Sequence, residues 1–261
     1  METEYKIDIE SLDGIEDEIS NSDDRYNLDE LSGNGGFFTN AFISNPKNDQ
    51  PEVVAMKMAL VDVTNSTNLN RILGKKDYYS KGKHIVRNMF SFSELINRVV
   101  SMPDFDERLA RGDASLVSEL TRWGDTWGEK ESDGANMMSF FSKYCLYQNY
   151  IIYGRDDYSI YDSVVKDNIG KYLTDEEVKK LFPGIKIRTT KKFPDETSAQ
   201  GHAVALRIEK RKKTYNNEEF NDLMTKILEM RGIPTDSDKR YRRKLDLLVW
   251  HRGRLSAPQK S

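Results

Sequence analysis

The run SFFSKYCLYQNYIIYGRDDYSIYD, Ser139 to Asp162, constrains this chain more than any other stretch. Its first half is crowded with aromatic and aliphatic residues and reads as a buried helix. A polar loop follows, and Asp162 opens a second helix, SVVKDNIGKYL. Lys143 sits inside the apolar part. Burying an ammonium is costly unless a carboxylate pairs with it or its pKa falls. A lysine whose pKa falls becomes a nucleophile. Asp162 can cap the second helix through a side-chain oxygen. It can also face Lys143, if the loop turns the second helix across the first. A plainer reading stands beside this one: a lysine whose stem is buried while its head reaches water, and an aspartate that only caps.

With 261 residues the chain is long enough for one large domain or two small ones with a substantial core. No apolar run approaches the roughly 18 residues of a membrane span. The start, METEYKIDIESLDGIEDE, lacks a basic-then-apolar signal pattern, so a cytoplasmic protein is expected. The single cysteine, Cys145, excludes an internal disulfide framework and a four-cysteine zinc or cluster site. His84, His202 and His251 stand far apart without metal spacing, so no metal or other cofactor is expected. Charge is uneven. Residues 1–35 carry twelve acidic and two basic side chains, and residues 201–261 carry fifteen basic and eight acidic ones. Such asymmetry suggests a polyanionic partner for the basic end, although charge runs also serve as solvated faces.

In chain order, residues 1–35 read as an acidic, flexible arm closed by SGNGG, with 36–261 as a helical domain of two lobes and a cleft. Val53 to Leu73 reads as a buried helix, a break at 64–67 and a second helical start capped by Asn65, Ser66 or Thr67. Tyr79 to Val100 reads as a helical pair. Leu109, Leu116, Leu120 and Trp123 are expected in the core. Thr174 to Glu177, TDEE, is a capping box. NNEEFNDLMTKILEMRG reads as an amphipathic helix with Gly232 past its end, and SDKRYRRKLDLLVWHRGR as a last helix with Leu245, Leu248 and Trp250 on its apolar face. The fold class expected is all-α, or mainly α with an irregular N-terminal part.

This order of features resembles the helix-hairpin-helix DNA glycosylase superfamily, in particular its lysine-bearing members that act on oxidised purines. The resemblance spans about residues 52–254 and places Lys143 and Asp162 at the catalytic lysine and aspartate. VTNSTNLNRILG is similar to the family's Asn-rich helix entry, which implies DNA contacts by Asn65, Asn68 and Arg71. Trp250 would supply a ring to the base pocket. Two departures stand out: NMMSFFSK lacks the family's hairpin glycines before the lysine, and SIYD lacks the proline before the aspartate.

The resemblance implies a monomeric enzyme acting on double-stranded DNA. It would flip a modified base into a pocket lined by Tyr144, Tyr147, Tyr161 and Trp250. Lys143 would attack the sugar and Asp162 would stabilise the developing charge, giving base release with strand nicking. Lys239, Arg240, Arg242 and Arg243 would neutralise phosphates. Some divergent members serve bacterial defence against phage, and the resemblance allows that role. The rival readings are a non-catalytic helical nucleic-acid-binding module and an interaction protein of a defence system.

Overall fold

A computed structural model describes residues 5–22, 36–65, 69, 75–80, 83–88, 92–122, 137–212, 217–236 and 239–255, some of them by backbone alone. The described fold is mainly α. Its helices are α1 (Ile9–Asp13), α2 (Ile15–Ser20), α3 (Phe37–Ser44), α4 (Pro51–Asn65), α5 (Phe92–Val100), α6 (Phe105–Ala110), α7 (Ser115–Arg122), α8 (Met138–Tyr153), α9 (Ser163–Asn168), α10 (Asp175–Leu181), α11 (Glu196–Lys212), α12 (Asn217–Met230) and α13 (Tyr241–Leu255). A 3₁₀ turn, Ile169–Tyr172, extends α9. No described helix is long and apolar enough to cross a membrane.

The centre is α8. A helix that is apolar on every side must be enclosed, and Met138, Phe140, Phe141, Tyr144, Cys145, Leu146 and Tyr147 are all buried. Around it pack α3, α4, α6 and α7. A second set of contacts joins α9 to α11 and α13, and α12 to α7 and α13. α13 also meets the first described helices: α1 and α2 lie against it.

That docking corrects the expectation of a flexible arm for residues 5–22. Ile7, Leu12, Ile15 and Ile19 are buried at 3% exposure or less. Their acidic neighbours pair with the basic face of α13: Glu18 takes two hydrogen bonds from Arg252, at 3.1 and 2.8 Å, and Asp13 takes one from Lys244 at 2.5 Å. Asp8 caps α1 through the Ser11 N–H at 2.8 Å. The rest of the expected arm, 1–4 and 23–35, lies outside the described residues.

Of the helical pair expected after Tyr79, the second member stands as α5 and the first is corrected to strand. Strands β1 (Lys75–Ser80) and β2 (Lys83–Asn88) pair antiparallel, from Lys75 opposite Asn88 to Ser80 opposite Lys83. Tyr78, Tyr79, Ile85 and Val86 suit strands better than helices. The other core expectations are met at Leu109, Leu116, Leu120, Leu245 and Leu248, all fully buried. Trp123 lies outside the described residues.

Candidate functional site

Lys143 and Asp162 come together. The lysine projects from the middle of α8, and the aspartate is the N-cap of α9, in extended backbone conformation. Asp162 divides its carboxylate between two tasks. Oδ1 accepts the Val165 N–H at 2.9 Å, and Oδ2 lies 3.5 Å from Lys143 Nζ. The side chains are 8% and 11% exposed, so the pair is nearly closed off from water.

The loop between the two helices is fixed by side chains rather than by a sheet. α8 ends at Gly154, whose left-handed φ of 65° lets its N–H reach the carbonyls of Asn149 and Tyr150. Asn149 bonds Asp157 twice, donating to its carboxylate at 3.0 Å and accepting its N–H at 3.1 Å. The Ser159 N–H donates to Asn221 Oδ1 at 2.8 Å, and the Ile160 N–H to Asp246 at 2.9 Å. The Tyr161 N–H donates to Ser142 Oγ at 3.1 Å. Backbone groups that would otherwise be buried without partners are thus satisfied, as a buried loop requires.

Three buried carboxylates share this neighbourhood. Asp156 accepts the Arg243 N–H in the first turn of α13 at 2.8 Å. Burial pushes its carboxyl up to about 6, against the pull of Arg243 and Arg242. Burial also raises Asp246 well above the usual carboxylate range, and the charges of Asp156 and Asp162 add to that. Among the described residues, one oxygen of Asp156 and one of Asp246 have no hydrogen-bond partner. A carboxyl that keeps its proton suits such a place, since an unpaired charge there is costly. Among the described residues, no group of three His, Cys, Asp or Glu side chains is placed to hold a metal ion.

A family model for the HI_0787_N N-terminal domain matches residues 18–157, just over half of the chain. The chain belongs to the HI_0787_N N-terminal domain family. The HI_0787_N match runs from within α2 to the loop after α8, so it takes in Lys143 and ends before Asp162. No curated protein and no solved structure matches the chain.

Within the HI_0787_N region lies a second buried cation that the sequence reading did not single out. Lys57 is fully buried and donates to Lys47 O at 3.0 Å, Asn48 Oδ1 at 3.2 Å and Gln148 Oε1 at 3.0 Å. Tyr144 donates its hydroxyl to the same Asn48 oxygen at 2.9 Å. Burial pulls the Lys57 ammonium down to about 8, opposed by Asp106 and Asp49.

The remaining expected site residues are spread out. Tyr144, Tyr147 and Tyr161 are enclosed in the core, at 0%, 1% and 6% exposure. The Tyr161 ring meets Phe220 edge-on at 5.1 Å. Trp250 is half-buried, with the Arg254 guanidinium 4.7 Å from its ring. Of the four expected phosphate contacts, Lys239 and Arg240 are exposed. Arg242 is half-buried and donates to Asp156 O at 2.6 Å and to Thr225 at 2.9 Å. Arg243 is buried on the inward face of α13, with its guanidinium 5.8 Å from the Tyr147 ring, which corrects its reading as a surface group. Asn65 ends α4, its side chain outside the described atoms, and Asn68 and Arg71 lie outside the described residues.

Proposed function

We propose that the chain is a DNA N-glycosylase with strand-nicking activity that works through Lys143 and Asp162. One observation carries the reading: a lysine amine 3.5 Å from a carboxylate, in a nearly closed site, with the carboxylate held by its own helix. A base in a duplex is stacked, so the target nucleotide must first be turned out of the helix. On this reading DNA binding opens the approach to the pair.

Attack requires a neutral amine, and Asp162 is placed to take the lysine's proton. Lys143 Nζ then forms a bond to the sugar C1′. The C1′–N bond breaks, and the base leaves with its electron pair. The departing base takes the proton that Asp162 accepted from the lysine, and the carboxylate so regenerated stabilises the positive charge that grows on the sugar as the bond stretches. Opening of the sugar ring gives a Schiff base at Lys143, and β-elimination cuts the strand 3′ to the site. Defence against phage, through excision of modified bases from phage DNA, is the biological role this chemistry would suit.

Borohydride trapping tests the proposal. Duplexes carrying oxidised or phage-type modified bases are incubated with the protein, and borohydride is added. A covalent protein–DNA band that disappears with Lys143→Gln is expected. Base release without a band would leave Asp162 to activate water and remove Lys143 as the nucleophile. A second reading has its own observation, since both side chains are about nine-tenths enclosed and Asp162 already serves as a cap. If neither a band nor base release occurs on any substrate, the chain is a non-catalytic nucleic-acid-binding or interaction protein, and the pair is a structural lock.

A further inference from the structure

The segment from Lys179 to Lys192 carries six cations, Lys179, Lys180, Lys186, Arg188, Lys191 and Lys192, and no acid, in a chain whose net charge is −3. All six are exposed, and among the described residues none forms an ion pair. The segment is ordered at both ends. It leaves α10, whose capping box Thr174–Glu177 is complete, and it enters α11 at Asp195, which accepts the Ser198 N–H at 2.8 Å. Between them the backbones of Thr190 and Phe193 bond each other in both directions, at 2.9 and 3.1 Å. Lys191 and Lys192 therefore sit at the tip of a tight turn. Phe193 anchors that turn by stacking on His202 of α11, with ring centroids 4.1 Å apart.

We infer that this lysine-tipped turn is a phosphate-contacting edge for duplex DNA, an inference that rests on the DNA reading above. Six exposed cations without ion-pair partners among the described residues favour a polyanion, although Lys192 Nζ also lies 5.3 Å from the centroid of the Phe193 ring, and phosphate contacts of this kind position a duplex without reading its sequence. A groove beside the turn lies one short helix and a 3₁₀ turn along the chain from the Lys143–Asp162 pair. Lys171 follows Asp162 by nine residues along α9 and the 3₁₀ turn, a run of about 15 Å. With Arg188, Thr189 and Thr197, Lys171 lines this groove. That span equals about four base steps at 3.4 Å each. Asp175 and Glu196 also line the groove and offset its charge, so the contact is assigned to the turn's outer face.

The test is the salt dependence of binding to an unmodified duplex, read by fluorescence anisotropy on the full chain. Lys191→Gln/Lys192→Gln is compared with Lys6→Gln/Lys226→Gln, which changes charge equally on exposed sites elsewhere. Each lost phosphate contact lowers the slope of log K against log salt by about 0.9, so a fall of about 1.8 is expected for the first pair and none for the second. Equal slopes in both variants would overturn the inference. So would the absence of salt-dependent DNA binding by the unaltered chain, or displacement of the duplex by polyglutamate at matched charge, which would assign the turn to an acidic protein. Slope loss without base release on any substrate would keep this edge and end the glycosylase reading. Base release with unchanged slope would do the reverse.

Discussion

Tyr161 donates its backbone N–H to the hydroxyl of Ser142 at 3.1 Å, and the residue that follows each of them is a member of the Lys143–Asp162 pair. One hydrogen bond thus sets the register of α8 against the chain that opens α9. Ser142 is fully buried. Ser142→Ala leaves the Tyr161 N–H without a partner and is expected to cost about 1–3 kcal/mol. Urea unfolding measures the cost. Hydrogen exchange at the Tyr161 amide should quicken in the variant, and unchanged exchange there would mean that the bond does not hold the register.

Asp162 both caps α9 and faces Lys143, and two substitutions separate these roles. Asp162→Asn keeps an oxygen for the Val165 N–H but removes the charge. Asp162→Ala removes both and should cost about 1 kcal/mol more, the usual worth of an N-cap. In a double-mutant cycle of Asp162→Asn with Lys143→Met, a coupling of about 1–3 kcal/mol is expected, because either single change leaves a charge in a nearly closed site. A coupling near zero would show that Lys143 reaches water by itself.

The folded Asp156 carboxyl titrates near 6, and the unfolded one near 4. Between those values the folded state holds a proton that the unfolded state has released. The stability this group supplies is present below pH 4 and is lost as pH rises through 6. Asp156→Asn retains an acceptor for the Arg243 N–H and does not titrate. The stability of the variant minus that of the unaltered protein should rise by about 3 kcal/mol from pH 4 to pH 7, at about 1.36 kcal/mol per unit. A flat difference in urea midpoints over that range would place Asp156 in contact with water.

Lys57 follows the opposite course. Its folded pKa, about 8, lies below the unfolded value near 10.5. Below pH 8 both states are charged, and the folded one bears the cost of a buried ammonium. As pH rises from 8 to 10.5 the folded state sheds that charge first, so stability from this group increases. The stability of the unaltered protein minus that of Lys57→Met should therefore grow by about 3 kcal/mol over that window. Paired urea titrations at pH 7.5 and pH 10.5 measure it, and tyrosines common to both proteins cancel in the difference.

Where the sequence was legible, the physics was local. The capping box at Thr174–Glu177, the helix ending before Gly232 and the buried Leu109, Leu116 and Leu120 follow from spacing within single elements. The nearness of Lys143 to Asp162 was expected only on condition that the loop turns α9 across α8, because the two residues lie on different elements. The partners that fix the intervening loop were not legible, because Ser159 bonds a residue 62 positions away and Ile160 one 86 positions away. No short pattern marks Asn221 or Asp246 for those tasks. At the N-terminus net charge misled: the apolar side chains of Leu12, Ile15 and Ile19 recur at helical spacing. The acids around them found basic partners on a helix more than two hundred residues later. The hairpin was missed because its short strands carry lysines and few clear alternations.

Those N-terminal contacts bear on synthesis. Asp13 and Lys244 are 231 residues apart, and Glu18 and Arg252 are 234 apart. At about 5–20 residues per second, the N-terminal segment leaves the ribosome roughly 10–50 s before its docking helix is made. Through that interval Ile7, Leu12, Ile15 and Ile19 have no α13 to cover them, and the excess of acidic side chains around them keeps the waiting segment in water. Docking of α1 and α2 is thus a late step for this part of the chain, and it cannot begin until α13 has been made.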